Sequence, residues 1–313
     1  MWYLKIIRLL IHKKKFSGGP TVFRKRISTA LNRIEDIKVI HDPHEDFDIE
    51  LSTIRHLNIH RKPKILRVDG CYYLPQEIAR NVALSQAINA SKHVIYQSHY
   101  SMCMITHLMG IRALYTIIHN GIDFEHMDTI QPHKNIIPGS FVGSALWRSN
   151  KRPHSMIEGF LAADTGRHLY VIGENDKINK RYKKNSHIHL LGKIESQEAI
   201  SVMKACDYQI HLCHIDSCPN AVVEGLTCGL KVLCANLGGT KELVKEDGIV
   251  LEVDEWDMRP RKFKKLDALS PEVVASGIHS LIEAGNDKSH ARREDLDINS
   301  VAEKYAKVVR ESV

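Results

Sequence analysis

The sequence of residues 210–244 is IHLCHIDSCPNAVVEGLTCGLKVLCANLGGTKELV. A β-rich run ends near Cys213, a loop follows, and residues 219–228 form an apolar stretch with helical character. Its leading proline suits the first residue of a helix, and Gly229 suits a left-handed helix end. The next β-rich run, 231–235, leads into the loop NLGGT. This order of strand, loop, helix and strand is typical of a parallel sheet with right-handed crossovers.

The same alternation of short β-rich runs and helical stretches extends over most of the chain. Further strand candidates are 64–68, 93–98, 114–120, 139–143, 168–173, 188–192, 208–213 and 248–253, and further helix candidates are 74–90, 153–164, 196–206 and 297–312. The apolar run at the start predicts a first strand or an amphipathic helix. Six strands between about 139 and 253 predict one complete doubly wound domain. Residues 131–140, with two prolines and a glycine, predict the linker before it.

The composition is that of an ordinary soluble protein with two domains. Of the 313 residues, 43% are apolar and 26% are charged, which excludes collagen-like and wholly disordered chains. The net charge of +7 favours anionic partners, but no aromatic residues interleave the basic segments, so we expect no nucleic-acid partner. Seven cysteines without a CxxC pair, and no visible cleavable leader, predict free thiols and a cytoplasmic protein.

The loop and helix start within residues 210–244 offer groups that suit a phosphorylated sugar. Free N–H groups at the positive end of the helix dipole make a phosphate site, and they belong to Asn220, Ala221 and Val222. Glu224, one turn further on, can accept two hydrogen bonds from a ribose diol, and Asp216 can accept hydrogen bonds from sugar hydroxyls. Gly238 and Gly239 have no side chains, so the backbone can approach a ligand closely.

This stretch resembles the signature of retaining, family-4 type glycosyltransferases of the GT-B fold. That signature has an acidic residue, seven further residues and a Glu, followed by a small-residue turn, a strand and a GG..E loop. Asp216 and Glu224 have this spacing, and GGTKE ends at Glu242. In two positions the chain departs from the family pattern. Asp216 replaces the usual Glu, which shortens the reach to the sugar by one methylene, and Lys231 replaces the usual proline at the strand start.

A second segment of the donor domain also resembles the family. Residues 141–160, FVGSALWRSNKRPHSMIEGF, resemble its first donor-domain strand, which is followed by an Arg and a Lys that bind the donor diphosphate. Lys151 has the spacing of the family Lys. The usual Arg position holds Leu146 here, so Arg148 or Arg152 takes that role.

The first half of the chain resembles the family more loosely. Residues 116–123, TIIHNGID, resemble the turn that closes the acceptor domain, and residues 16–31 resemble its glycine loop. By this resemblance the backbone of Gly18 and Gly19 faces the donor phosphates. Many members carry a His near the donor sugar at the position that Asp69 occupies here, so Asp69 is a candidate for contact with the acceptor or the sugar.

The resemblance implies an α/β fold of GT-B type. Two Rossmann-like parallel-sheet domains then face a cleft, and a C-terminal helix crosses back to the first domain. Residues 1–132 are the short acceptor-side domain, 133–295 the donor-binding domain and 296–313 the returning helix.

The resemblance also implies transfer of a sugar from a UDP- or GDP-linked donor to a carbohydrate or lipid-linked acceptor, with retention of configuration. We expect no metal and no cofactor beyond the donor. The residues implied in catalysis are Lys151, Asp216 and Asp69. Those implied in donor binding are Gly18, Gly19, Arg148, Arg152, Gly173, Ile194, Cys218, Pro219, Asn220 and Glu224, with Glu224 on the ribose and the base near Gly173 and Ile194.

Alternatives remain open at this point. The same fold hosts sugar-nucleotide epimerases, and a non-catalytic nucleotide-sugar-binding protein would retain the same binding residues. Residues His211, Cys213, His214 and Cys218 have the types of zinc ligands, although buried core cysteines are the favoured interpretation. The basic segments 13–15 and 24–26 suit either peripheral contact with an anionic membrane or a solvated surface.

Overall fold

The computed structural model of the protein describes residues 5–12, 19–53, 61–110, 113–174, 176–255, 259, 268–288 and 292–313. Gly18 and the basic segment 13–15 lie outside these residues. The described residues form two compact units. The first contains those up to Asp123, together with Arg259 and residues 294–313. The second contains those between Phe124 and Arg293, apart from Arg259.

The first unit is built on a six-stranded parallel sheet. Its strands are β1 (Ile7–Leu10), β2 (Ile37–Ile40), β3 (Ile49–Thr53), β4 (Lys64–Val68), β5 (His93–Tyr96) and β6 (Tyr115–Ile117), and its first three helices are α1 (Gly19–Leu31), α2 (Asn81–Asn89) and α3 (His99–Met109). The strand order is β2-β1-β3-β4-β5-β6. The apolar run at the start of the chain is therefore a strand. A 3₁₀ turn, Ile78–Arg80, precedes α2, so the helix predicted over 74–90 is wrong at its start.

The second unit has its own six-stranded parallel sheet. Its strands are β7 (Phe141–Ser144), β8 (Leu169–Ile172), β9 (Ile188–Gly192), β10 (Tyr208–His211), β11 (Lys231–Ala235) and β12 (Gly248–Leu251). Its helices are α4 (Phe124–Thr129), α5 (Pro153–Ala162), α6 (Asp176–Tyr182), α7 (Ser196–Ala205), α8 (Asn220–Thr227), α9 (Thr240–Val244) and α10 (Pro271–Glu283). The strand order is β12-β11-β10-β7-β8-β9, which is a doubly wound order and agrees with the doubly wound sheet predicted for this half.

The boundary between the units falls after residue 123 rather than 132. The reason is that α4 packs with the second unit. The ammonium of Lys204, in α7, donates hydrogen bonds to the carbonyl oxygens of Met127 at 2.6 Å and Ile130 at 2.8 Å. These bonds satisfy carbonyl groups at the end of a six-residue helix that is too short to be stable alone.

The last helix, α11 (Ile298–Ser312), belongs to the first unit. Its apolar face includes Val301, Tyr305 and Val309, which are buried against α1. The rings of Phe23 and Tyr305 lie 6.0 Å apart. The chain thus returns from the second unit to the first, as the GT-B resemblance implied.

Parallel strands covered on both faces are buried along their length, and β5, β8 and β10 are buried at all four positions. Within the described ranges, no helix is both long enough and apolar enough to span a membrane.

Candidate functional site

The site lies at the carboxyl end of the second sheet, where the winding of the chain reverses. Strand β7 pairs with β8 on one side and with β10 on the other. Connections therefore leave β7 and β10 in opposite directions, which opens a crevice where open α/β sheets bind ligands. The loop after β7 carries Lys151 and the loop after β10 carries Asp216.

A buried backbone hydrogen bond brings these two loops together. Lys151 ends a 3₁₀ turn over Ser149–Lys151. The carbonyl of Asn150, within that turn, accepts a hydrogen bond from the N–H of His214 at 2.8 Å. The turn is thereby fixed against the loop that leads to Asp216.

Lys151 and Asp216 form an ion pair. The ammonium donates to Oδ2 of the carboxylate, and the two side chains are only 18% and 22% exposed. Burial alone would raise the pKa of Asp216 and lower that of Lys151. The opposite charges outweigh burial, so the pKa of Asp216 is lowered and that of Lys151 is raised. Both groups are therefore ionised at neutral pH.

The backbone around Asp216 is held by the glycine loop. Gly239 donates its N–H to the carbonyl of Asp216 at 2.7 Å. Gly238 has a φ of +103°, and a Cβ there would lie 2.8 Å from the same carbonyl oxygen. The close approach predicted between these glycines and a ligand is in fact an approach to the Asp216 loop.

His211 and Cys213 lie directly behind the ion pair. The ligand atoms of His211, Cys213 and Asp216 are within 4.8 Å of one another. Burial, and then the charge of Lys151, lower the pKa of His211 to about 3, while burial raises the pKa of the Cys213 thiol to about 11. The imidazole is therefore neutral. Its Nε2 has no hydrogen-bond partner among the described residues.

Arg152 is not available to a diphosphate in this structure, contrary to one of the two sequence-based choices. It precedes α5 with a left-handed backbone, at φ +50°, and its side chain is buried. Its two terminal nitrogens donate to the carboxylate of Asp254 at 2.7 and 2.6 Å. Arg148 is exposed in the same loop. Of the two arginines, Arg148 is the one that a ligand can reach.

The start of α8 differs in detail from the prediction. Pro219 lies at the N-cap, one residue before the helix, and its carbonyl accepts hydrogen bonds from Val222 at 3.0 Å and Val223 at 3.1 Å. The N–H of Val222 is therefore already used. The predicted phosphate site is reduced to the first two helical residues. Glu224 is half-buried in the next turn.

Cys218 contacts the site through its backbone, and its role in donor binding stays a prediction. Its side chain is buried, and its backbone N–H donates to the carboxylate of Asp216. Cys218 thus helps to orient the acid, and its thiol is covered.

The predicted base-binding region contains an aromatic residue that sequence analysis missed. Gly173 has a φ of +110° and donates its N–H to the carbonyl of Gly192 at 2.6 Å. A Cβ on Gly173 would lie 3.0 Å from Nε1 of Trp147. Trp147 is buried, and its indole N–H has no acceptor in the described parts of the chain. The signal in the sequence was a tryptophan in the loop after the first donor-domain strand, and sequence analysis assigned it no role at the base-binding region. Ile194 packs against an apolar cluster that contains Val142 of β7 and Tyr170 and Ile172 of β8, and its contact with the base stays a prediction.

The first-unit candidates have other contacts. Gly19 begins α1, so residues 19–31 of the segment that resembles the glycine loop are helical, and contact of Gly19 with the donor phosphates stays a prediction. Asp69 is ion-paired with the buried Arg67 and accepts a hydrogen bond from Gln97 at 2.9 Å. Oδ2 of Asp69 is buried without a partner among the described residues. Contact of Asp69 with the acceptor or the sugar stays a prediction, and Oδ2 is the atom that would make it.

Two units with parallel six-stranded sheets of Rossmann type, and a last helix that returns to the first unit, define a protein of the GT-B fold. Residues 140–264 match a family model described as glycosyl transferases group 1. The chain is 26% identical over 279 residues to an uncharacterized glycosyltransferase of Methanocaldococcus jannaschii, MJ1178, covering 86% of this chain and 76% of that protein.

Many solved structures share the whole fold. Anabaena Alr3699/HepE in complex with UDP-glucose matches with a TM-score of 0.68 at 15% identity, covering 97% of this chain and 100% of that one. Sucrose-phosphate synthase from Thermosynechococcus elongatus matches with a TM-score of 0.69 at 12% identity, covering 98% of both chains. The chain is therefore similar to glycosyl transferases group 1 over residues 140–264 and to solved GT-B structures over nearly its whole length.

Proposed function

We propose that the protein is a family-4 type glycosyltransferase that moves a sugar from a nucleotide-sugar donor with retention of configuration and without a metal. The observation that carries this proposal is the Lys151–Asp216 pair at the switch point of the second sheet. Lys151 supplies a cation for the leaving diphosphate, and the neighbouring carboxylate of Asp216 supplies hydrogen-bond acceptors for the sugar hydroxyls. The UDP-glucose bound by Anabaena HepE supports a UDP-linked donor.

The proposed roles follow from the charge that develops during transfer. Cleavage of the sugar–phosphate bond leaves an additional negative charge on the distal phosphate. Lys151, with exposed Arg148 nearby in sequence and the first N–H groups of α8, supplies positive potential for that charge. Asp216 accepts hydrogen bonds from the sugar, and the departing phosphate takes the proton of the acceptor. No dedicated base is then required.

The acceptor side of the proposal is broader. The acceptor is a carbohydrate or a lipid-linked sugar bound by the first unit, where Asp69 offers one buried carboxylate oxygen. Peripheral contact with an anionic membrane and a cytoplasmic location belong to the same proposal.

Glu224→Ala is expected to weaken nucleotide binding at least ~10-fold, or ~1.4 kcal/mol, because a carboxylate on a ribose diol makes two charge-assisted hydrogen bonds. Calorimetric titration with UDP, GDP and ADP measures this loss and identifies the base. Glu198→Ala, an exposed glutamate on α7 of the same unit, is the matched control. Equal nucleotide affinity in Glu224→Ala and wild type would rule out the ribose role.

Turnover is expected to be unchanged by EDTA, because the diphosphate charge is met by side-chain cations and a helix N-terminus. Initial rates with a radiolabelled nucleotide sugar, before and after dialysis against chelator, check this. Loss of activity that manganese or magnesium restores would contradict the metal-independent mechanism.

A further inference from the structure

The residues behind the ion pair contain three types of metal ligand in one place. His211 is the last residue of β10, and Cys213 lies two residues further on, so strand alternation directs both to the same side. The loop then brings the carboxylate of Asp216 to them, with all three ligand atoms within 4.8 Å of one another. His211 is 6% exposed, and its Nε2 has no partner in the described ranges.

The zinc set suggested by the sequence is thereby changed. His214 turns to the opposite side, where its Nδ1 lies 2.8 Å from Oδ1 of Asp254. The buried Cys218 uses its backbone to orient Asp216. Asp216 takes their place beside His211 and Cys213.

We propose that His211, Cys213 and Asp216 form a binding site for Zn²⁺, and that Zn²⁺ binding there inhibits the protein by displacing Lys151 from Asp216. Imidazole nitrogen, thiolate and carboxylate are all zinc ligands, and tetrahedral coordination at ordinary bond lengths places ligand atoms ~3.5 Å apart. The observed separations of up to 4.8 Å need only a small contraction. Water fills the fourth position.

Lys151 occupies the electrostatic position that the metal would take. Its ammonium contacts both Asp216 and the Cys213 sulfur in the present state. The two cations therefore exclude each other. Zinc binding also requires the Cys213 thiol, which now donates to the carbonyl of Ile215 at 3.0 Å, to release its proton to solvent. The binding step stands without the proposed function, whereas inhibition rests on it.

The first test measures zinc binding directly, by competition with a chromophoric chelator. Wild type is expected to bind one equivalent. His211→Ala should weaken binding at least ~10-fold, the lower end of what the loss of even an outer-shell partner costs. Lys151→Ala should tighten binding at least ~10-fold, because no ammonium–carboxylate pair has to be broken. A purely structural cluster would not respond to Lys151→Ala in this direction.

The matched control is a pair of histidines elsewhere in the same unit. Nδ1 of His168, which directly precedes β8, lies 2.9 Å from Nε2 of His189 in β9, and neither histidine belongs to the proposed site. His168→Ala should leave the zinc affinity unchanged. Loss of zinc binding in His168→Ala with retention in His211→Ala would overturn the proposal.

Cobalt is the second probe. Co²⁺ at this site should give a thiolate-to-cobalt charge-transfer band in the near ultraviolet that Cys213→Ser abolishes. Absence of the band in wild type would contradict ligation by Cys213. Circular dichroism confirms folding of each variant, and His211→Gln replaces His211→Ala if the smaller side chain prevents folding. Reversible inhibition by Zn²⁺, relieved by EDTA, tests the inhibitory step separately.

Discussion

Lys151→Ala is expected to lower kcat by ~100-fold or more, with a much smaller effect on KM for the donor. The reason is that the lysine meets charge that appears mainly as the sugar–phosphate bond breaks. An interaction that strengthens toward the transition state raises turnover, whereas one equal in both states only improves binding. Lys151 is 18% exposed, so its ammonium acts in a less screened setting than a surface charge. Steady-state rates at saturating acceptor measure both constants.

Two further variants define what this result means. Glu224→Ala should mainly raise KM, because the ribose lies away from the bond that breaks. Lys180→Ala removes an exposed cation on α6 of the same unit and should leave both constants near wild type. Normal kcat in Lys151→Ala would refute the catalytic role and leave Lys151 as the structural counter-ion of Asp216.

The strands of the second unit could be predicted well because each is a short apolar run between turn residues. Predicted strands 188–192 and 231–235 agree with β9 and β11 at both ends. Parallel strands buried on both faces produce this signal directly, as β8 does with all four positions buried. Helix α3 was missed even though its signals are present: Ser98 and Ser101 form a capping box, and Gly110 ends the helix at φ +64°.

The site could be predicted only in part, since its contacts join distant segments. Lys151 and Asp216 are 65 residues apart in the chain, and their pairing depends on β7 lying beside β10. The spacing of the motifs identified Lys151 and Asp216 as candidates but did not indicate that the two side chains form an ion pair. Arg148 and Arg152 were equivalent choices in the sequence, because only the left-handed backbone of Arg152 and its burial distinguish them.

A second buried ion pair lies beneath the site and stabilises the loop that carries Lys151. Arg152, Asp254 and His214 have side chains that are 5%, 4% and 1% exposed. Both terminal nitrogens of Arg152 bond the carboxylate, and Nδ1 of His214 lies 2.8 Å from Oδ1. Burial opposes the charge on Asp254, but hydrogen bonds from His214 and Arg152 outweigh burial and lower its pKa to about 2. Asn236 fixes the backbone of Asp254, accepting its N–H at 3.0 Å.

Asp254→Asn is expected to lower the free energy of unfolding by ~3–5 kcal/mol, because it leaves the guanidinium of Arg152 buried without a counter-charge. Urea unfolding followed by tryptophan fluorescence measures the loss. Asp46→Asn is the control, since Asp46 pairs with Lys62 at an exposed position and the loss of unfolding free energy should be far smaller.

Asp254→Asn should also remove a pH dependence of the stability. The pKa of Asp254 is about 2 when folded and ~3.9 when unfolded, so its contribution to stability is complete above pH ~4 and is lost as the pH falls toward 2.

The double variant Arg152→Leu/Asp254→Leu removes both charges and should be more stable than Asp254→Asn despite its extra substitution. A double variant less stable than Asp254→Asn, or an Asp254→Asn protein as stable as wild type, would contradict the buried-charge argument and return Arg152 to the candidates for diphosphate binding.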